Sequence, residues 1–265
     1  MKSSGMRAHV VLAHPESQSF NGHLAETTRS ELTGAGWEVT FSDLYGLDFD
    51  PCEAPRHYSK RADADRFHAQ TEQRFNATEG STPDDVEHEI KNVLASDLLV
   101  VHFPMWWFGM PAMMKGWIDR VFVYGMLYRS TMRYDADACV GKKLLACVTT
   151  GASADSCAHD GREGDTGMHL WPALFPFRYI GFDVLEPEIL HGIGGVAFVE
   201  GEDDGASGFE RFTKNWSEQL QHIGDRSVTP YNSDSDFDAN KRLRPEAPSF
   251  SPFVAHEPSP PWSQR

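Results

Sequence analysis

The sequence predicts an α/β protein built on a doubly wound, five-stranded parallel sheet in the order 2-1-3-4-5, followed by a C-terminal extension. Three observations carry that expectation. Five short apolar or alternating segments are separated by stretches of helical character, which implies strands joined by helical crossovers. Residues 97–103, "DLLVVHF", are almost continuously apolar, as a central parallel strand covered on both faces requires. Just after it, Met110, Met113, Met114, Trp117, Ile118, Val121 and Phe122 recur at helical spacing, so one stripe of the following helix is apolar. Right-handed crossovers fit this strand order.

In order, "AHVVLA" (8–13) reads as the first strand and "HPESQSFNG" as a loop of turn formers and N-cap candidates. "HLAETTRSELTGAG" continues as a helix stopping at Gly34 or Gly36, and "WEVTFSDLY" alternates like a second strand. Residues 46–82 lack a clear period and exceed an ordinary connection, which marks them as functional or disordered. The helical pattern resumes at residue 82. Thr82 stands as a cap, Pro83 in the first turn, Asp84 and Asp85 favour the helix dipole, and Val86, Ile90, Val93 and Leu94 share a face. After the central strand and its striped helix, "KKLLACVTTG" is a buried strand running into a small-residue loop. "MHLWPALFPFRYIGF" reads as an apolar helix broken by its prolines, and "DVLEPEIL" as the fifth strand. Phe209, Phe212, Trp216, Leu220 and Ile223 mark a last amphipathic helix. From about residue 225 the chain is rich in Pro, Ser and Asp. The organisation expected is one domain over residues 1–225 and an extension over 226–265, packed on the domain, packed on a dimer partner, or mobile.

A chain of 265 residues with 40% apolar residues can bury a large core. Its net charge of -15 argues against nucleic-acid binding, which needs a basic face, and against adhesion to an anionic membrane. The N-terminal segment is too polar for a signal peptide, and no stretch is long and apolar enough for membrane insertion. Cys52, Cys139, Cys147 and Cys157 show no CxxC spacing and read as reduced thiols of a cytoplasmic protein with no metal site.

In sheets of this kind ligands bind beyond the carboxyl ends of the strands, at the switch point. Three loops therefore matter: 14–21, 104–109 and 149–165. The usual dinucleotide and triphosphate glycine fingerprints are absent. In the first loop Ser17, Ser19 and Asn21 stand at a helix N-terminus, where they either bind a phosphate or simply cap the helix. His14 either holds a phosphate or closes a strand end. In the second loop Trp106, Trp107 and Phe108 offer flat apolar walls, and Pro104 and Gly109 allow close backbone approach. A planar heteroaromatic ring would stack there. The alternative is a core or dimer interface. In the third, "TTGASADS" presents small residues and free amides to a polar ring edge.

The segments "VVLAHPESQSFNGHLAE", "GWEVTFSDLYGLDFDP", "DLLVVHFPMWWFGMPAMMKGWIDRVF", "TTGASADS", "LWPALFPFRYIGFDVLEP" and "PYNSDSDFD" together resemble the flavodoxin-like NAD(P)H:quinone oxidoreductases of the DT-diaphorase type. They span most of residues 8–238 in the same order, and the block around "FPMWWFGMPAMMKGWIDRVF" is the most specific. The resemblance implies a homodimer with FAD rather than FMN, using NADH or NADPH to reduce quinones by two-electron, ping-pong hydride transfer. It further implies that His14, Phe20 and Asn21 hold the FAD phosphates and ribityl chain. Met105, Trp106, Trp107 and Phe108 would line one flavin edge, and Thr149, Thr150, Gly151 and Ala152 its pyrimidine side. Tyr128 matches a substrate-pocket tyrosine contributed across the dimer interface.

The sequence departs from that pattern where protons move. The family's mammalian members carry a tyrosine and a histidine in the third loop as a proton relay, and these positions fall on Cys157 and Glu163. A second pocket tyrosine falls on Ser130, the fourth residue of the family's "TTGG" on Ala152, and His68 stands nearest to a flavin-side glutamine. Glu163 is thus a candidate acid or a solvated loop carboxylate, and His159 the nearest other imidazole in the loop. Two other functions are compatible with the same frame: a flavin-binding regulatory subunit of a potassium-efflux transporter, and an FMN-dependent azo- or nitroreductase.

Overall fold

The computed structural model describes residues 5–193 and 204–256. Residues 1–4 and 257–265, which belong to the N-terminal and extension readings above, lie outside the described residues. Strands β1 (Arg7–Leu12), β2 (Glu38–Asp43), β3 (Leu98–Pro104) and β4 (Lys143–Thr149) pair in parallel in the order β2-β1-β3-β4. The fifth position is filled by two short strands, β5 (Asp183–Val184) and β6 (Glu188–Leu190), both paired with β4. The single strand expected over "DVLEPEIL" is interrupted because Pro187 has no amide to donate and the Glu186 amide turns to the Ser227 carbonyl, at 2.9 Å.

Helices α1 (Phe20–Gly34) and α6 (Asp204–Gln221) cover one face of the sheet, while α3 (Asp84–Ala95), α4 (Ala112–Val121) and α5 (Thr166–Tyr179) cover the other. The alternation along β3 shows how one strand serves both layers. Leu99, Val101 and Phe103 pack towards Trp117 and Phe177, whereas Leu98 and Val100 pack towards Leu24 and Trp216. His102 falls on the second side. Its Nε2 lies 3.0 Å from Thr28 Oγ1, and burial pushes its pKa down to about 3, so it is a neutral core histidine.

Several local expectations are corrected. Residues 46–82 contain a helix, α2 (Ala69–Glu79), which His68 caps and Gly80 ends at φ 63°. Its polar sequence hid it: Glu72, Gln73 and Asn76 are buried in place of an apolar stripe. Glu72 accepts from the Arg61 Nε at 2.9 Å and the Ala62 amide at 2.7 Å, while Asn76 donates to the Lys60 carbonyl at 3.1 Å. Thr82 does not cap α3. Pro83 is the N-cap, with no side-chain bond, and the Thr82 hydroxyl lies 3.6 Å from Met126 Sδ. Leu94 leaves the apolar face and is exposed. α5 is continuous despite Pro172 and Pro176. The two prolines are four residues apart, so their missing amides fall on one side of the helix.

Residues 226–256 run back over the domain. The Thr229 amide donates to the Val184 carbonyl at 2.8 Å, and Phe253 stacks on Trp171 with ring centroids 4.7 Å apart. Among the described residues no helix is long and apolar enough to cross a membrane.

Candidate active site

The ends of β3 and β4 are in register, with Pro104 opposite Thr149, and the chain stays paired one step further as the Met105 amide donates to the Thr149 carbonyl at 2.7 Å. The backbone then reverses in a two-residue turn. Trp106 and Gly109 exchange hydrogen bonds of 2.9 and 3.1 Å around Trp107 and Phe108. Both central residues have positive φ, 51° and 61°. This is the turn that ordinarily takes Asn-Gly. Left-handed backbone in a bulky residue is unfavourable by roughly 1–2 kcal/mol. Trp107 recovers nothing by burial, because it is 96% exposed. Strained aromatic residues held out at the carboxyl edge of a sheet point to a ligand.

The first loop closes one side. The Glu16 amide donates to His14 Nδ1 at 3.1 Å, and the His14 ring lies 6.0 Å from that of Trp106. Ser19 caps α1, accepting from the Gly22 amide at 3.1 Å. Gly22 is required there, since a Cβ would stand 2.0 Å from the Ser17 carbonyl oxygen. Asn21 reaches across to β4, its Nδ2 donating to Thr149 Oγ1 at 2.8 Å. Its Oδ1 is buried with no partner among the described residues. Phe20 turns away, its ring packing on Phe209 and Phe212 of α6 at 5.0 and 6.2 Å.

The third loop closes the other side. The Thr150 amide donates to the Leu190 carbonyl at 2.9 Å, and the Gly192 amide to that of Ala152 at 2.9 Å, so β6 and the residues just after it fix residues 149–152. The amides of Trp107, Phe108 and Gly151 have no acceptor among the described residues. Between the loops lies a cleft of about 230 Å³ walled by Met105, Trp107, Phe108, Thr150, Ala152 and Glu163, with Cys157 and His169 also on its surface.

Tyr128 stands elsewhere. It lines a separate cleft of about 670 Å³, accepts from Gln70 Nε2 at 3.1 Å and meets the rings of Tyr124 and Tyr179. One chain alone does not bring it to the aromatic turn. His68 is occupied as the α2 cap, and Ser130 bonds the Tyr124 hydroxyl at 2.9 Å. His159 is 85% exposed, 3.9 Å from Asp165. The imidazole of the cleft is instead His169, on α5. The sequence carried a signal for it: His169, Pro172, Ala173 and Pro176 are spaced i, i+3, i+4, i+7, one helix face, and all four line one further cleft of about 360 Å³.

Buried unpaired amide oxygen, free backbone amides and exposed aromatic walls suit a large planar ligand with polar edges and an anionic tail. Fold and site together define a flavodoxin-like α/β protein, and residues 6–220 match the family described as Flavodoxin-like fold. The chain is 34% identical over 236 residues to NAD(P)H dehydrogenase (quinone) 1 of Rattus norvegicus, covering 88% of this chain and 83% of the relative. It is 35% identical over 188 residues to ribosyldihydronicotinamide dehydrogenase (quinone) of Pongo abelii, covering 70% of this chain and 81% of that one. Among solved structures, a provisionally named quinone reductase of Klebsiella pneumoniae superposes with a TM-score of 0.80 at 26% identity, covering 91% of this chain and 95% of the other. The chain belongs to this flavodoxin-like family of NAD(P)H:quinone oxidoreductases.

Proposed function

We propose that this protein is an NAD(P)H:quinone oxidoreductase that binds FAD in the cleft between the 104–109 and 149–165 loops and works by a ping-pong exchange of NAD(P)H for quinone. The observation that carries the reading is the strained turn at Trp107 and Phe108, which keeps two aromatic rings and their free amides at the cleft. FAD supplies the two-electron hydride chemistry when bound.

The chain's own residues supply position and polarity. Asn21, with its unpaired buried Oδ1, and the capped N-terminus of α1 suit phosphate and ribityl oxygens. His14 supports Trp106 from the first loop, and beside Trp106 the residues Met105, Trp107 and Phe108 form the apolar wall of the cleft. Gly151 offers its free amide, and Thr149 and Thr150 their hydroxyls, to a polar ring edge beside Ala152, where they favour developing negative charge. Ser19 acts through the cap and Phe20 through its backbone, since its ring belongs to the α1–α6 contact. Pro104 sets the end of β3 and Glu163 gives the cleft a carboxylate.

Tyr128 enters this scheme only from a second copy, so the working unit is a homodimer in which Tyr128 of one copy meets quinone at the turn of the other. The domain over residues 1–225 carries the chemistry, the described part of the 226–265 extension, residues 226–256, packs on it, and the protein works in the cytoplasm.

The test is made on purified protein: its visible spectrum, the flavin released by denaturation and identified by chromatography, and NAD(P)H oxidation with and without menadione. Released FAD with rapid menadione-dependent oxidation is the expected result. Released FMN would correct the cofactor. Bound flavin without quinone turnover would favour a regulatory flavoprotein, and no flavin after reconstitution would overturn the reading.

A further inference from the structure

His169 stands where two clefts meet. It shares the 230 Å³ cleft with Met105, Trp107, Phe108, Thr150, Ala152, Cys157 and Glu163, and the neighbouring 360 Å³ cleft with Phe108, Met110, Pro172 and Phe253. Its ring lies 5.1 Å from that of Phe108, with the two planes tilted by 43°. Its Nε2 is 3.0 Å from the Glu163 carbonyl oxygen. A carbonyl only accepts, so Nε2 carries a proton in every charge state and Nδ1 is the nitrogen that gains and loses one. Nδ1 has no hydrogen-bond partner among the described residues. Gly164 leaves the ring its place: at φ 76°, a Cβ there would stand 3.1 Å from His169 Nε2.

Resting on the quinone-reductase reading, we propose that His169 is the general acid that completes quinone reduction, through Nδ1. A quinone that has accepted a hydride holds two added electrons and one proton, with one oxygen as hydroxyl and the other as phenolate. The imidazolium N–H bond breaks, the phenolate O–H bond forms, the hydroquinone leaves neutral, and solvent returns a proton to the neutral imidazole.

Other titratable groups stand around it. Glu163 lies in the same cleft. Cys157 shares the wall. The Asp165 carboxylate accepts from the Met168 amide at 3.1 Å and approaches the exposed His159 rather than His169. On α4, Lys115 lines the second cleft but is paired with Asp119. His14 stands on the far loop beside Trp106.

Two measurements test the assignment. The first needs no cofactor: nitrogen-resolved NMR of the His169 ring in flavin-free protein, identified by its loss in His169→Gln. The Nε2–H tautomer is expected, and the Nδ1–H tautomer would overturn the proposal. The second separates the half-reactions by stopped flow. In His169→Gln, with flavin content and melting temperature retained, reduction by NAD(P)H should keep its rate. Reoxidation by menadione should slow about 100-fold, within the range of general acid catalysis, and lose its decline with rising pH. Gly164→Ala, which displaces the ring, should slow the same half-reaction less. If the unaltered protein turns over menadione and His169→Gln keeps its reoxidation rate and pH profile, the role of His169 is refuted and the quinone-reductase reading stands. If the unaltered protein turns over no quinone, both fail.

Discussion

Two long irregular connections flank the sheet, residues 44–68 and residues 150–165, and they are held in opposite ways. The first is fixed by buried charge. Arg120, 1% exposed on α4, donates to the Asp50 carbonyl at 2.9 Å and to Asp85 Oδ2 at 2.6 Å, with its guanidinium 4.9 Å from the Phe49 ring centroid. Glu72 binds Arg61 and the Ala62 amide, and the Tyr58 hydroxyl donates to Glu53 at 2.7 Å. The second connection folds mainly on its own backbone: the Cys157 amide donates to the Ser153 carbonyl, the Gly161 amide to that of Ala158, and the Glu163 amide to that of Ser156. Length without periodicity describes both. In the first, Asp50, Glu53 and Arg61 are consumed in holding the chain. In the second, Glu163 and Cys157 are left at a cleft. The availability of side chains, more than irregularity, separates a scaffold loop from a site loop.

The sharpest way to break this contrast is Arg120→Ala. Arg120 is buried but its partner Asp85 is 44% exposed, so losing its charged hydrogen bonds is unfavourable by about 1.5–3 kcal/mol, and urea denaturation should show that loss while the 149–165 cleft keeps its ligand affinity. The deficit should also depend on pH. Burial pushes the Glu53 carboxyl above its ordinary value, and the Tyr58 bond and Arg120 work against that rise. Without Arg120 the rise is larger, so the folded variant holds its proton to higher pH than the unfolded chain does. A folded pKa raised above the unfolded one means stability lost as pH increases through that window. The gap between variant and parent should therefore widen as pH rises above 4.5, the ordinary glutamate value. A constant gap from acid to neutral pH would remove Glu53 from the cluster.

The opposite behaviour is expected at the site. Trp107→Gly removes a left-handed strain of roughly 1–2 kcal/mol, part of which is offset by the greater freedom of glycine in the unfolded chain. The side chain is 96% exposed, so little packing is lost. Stability should rise by about 0.5–1 kcal/mol while flavin retention and menadione turnover fall. A variant less stable than the parent, or one with undiminished flavin content, would show that the turn is held for packing. Tyr128→Phe sharpens the same division. It deletes one exposed hydrogen bond, to Gln70, so stability should stay within about 0.5 kcal/mol, and the menadione KM should change more than flavin content. Loss of flavin at unchanged KM would place Tyr128 outside the quinone pocket.

The sheet order was legible because parallel strands buried on both faces leave long apolar runs: Leu98–Phe103 and Leu144–Val148 are buried throughout. α2 was not, because its buried face is Glu72, Gln73 and Asn76, and a polar helix that is satisfied by loop backbone has no apolar period to detect. The loops of the candidate site were placed by strand ends alone, and the aromatic run announced itself. The turn conformation did not, since Trp107 and Phe108 are the wrong residues for it by propensity. That mismatch between local preference and backbone is what strain at a functional position looks like before the backbone is seen. His169 was missed because it is twelve residues from Cys157 in sequence and reaches the cleft only through the first turn of α5.

Thiol reactivity offers the mildest probe of the comparison, and it reads both connections at once. Cys52 lies in the first and is exposed, and Cys157 lies in the second and is partly exposed. Cys139 and Cys147 are buried in the core, where burial pushes the Cys139 thiol up to about 12 and the Cys147 thiol well above its ordinary value. Only a thiolate attacks an alkylating reagent, so iodoacetamide at neutral pH should label Cys52 and Cys157 and spare the two core thiols until the protein unfolds. Peptide mass spectrometry assigns the sites. Adding the cofactor should slow labelling of Cys157, which shares the cleft wall with Met105 and Phe108, and leave Cys52 unchanged, because that residue sits where the first connection is already closed by Asp50 and His57. Protection of both cysteines would mean that ligand binding tightens the whole domain. Protection of neither would separate the 149–165 loop from the ligand, and with it the reason for treating the two connections as different in kind.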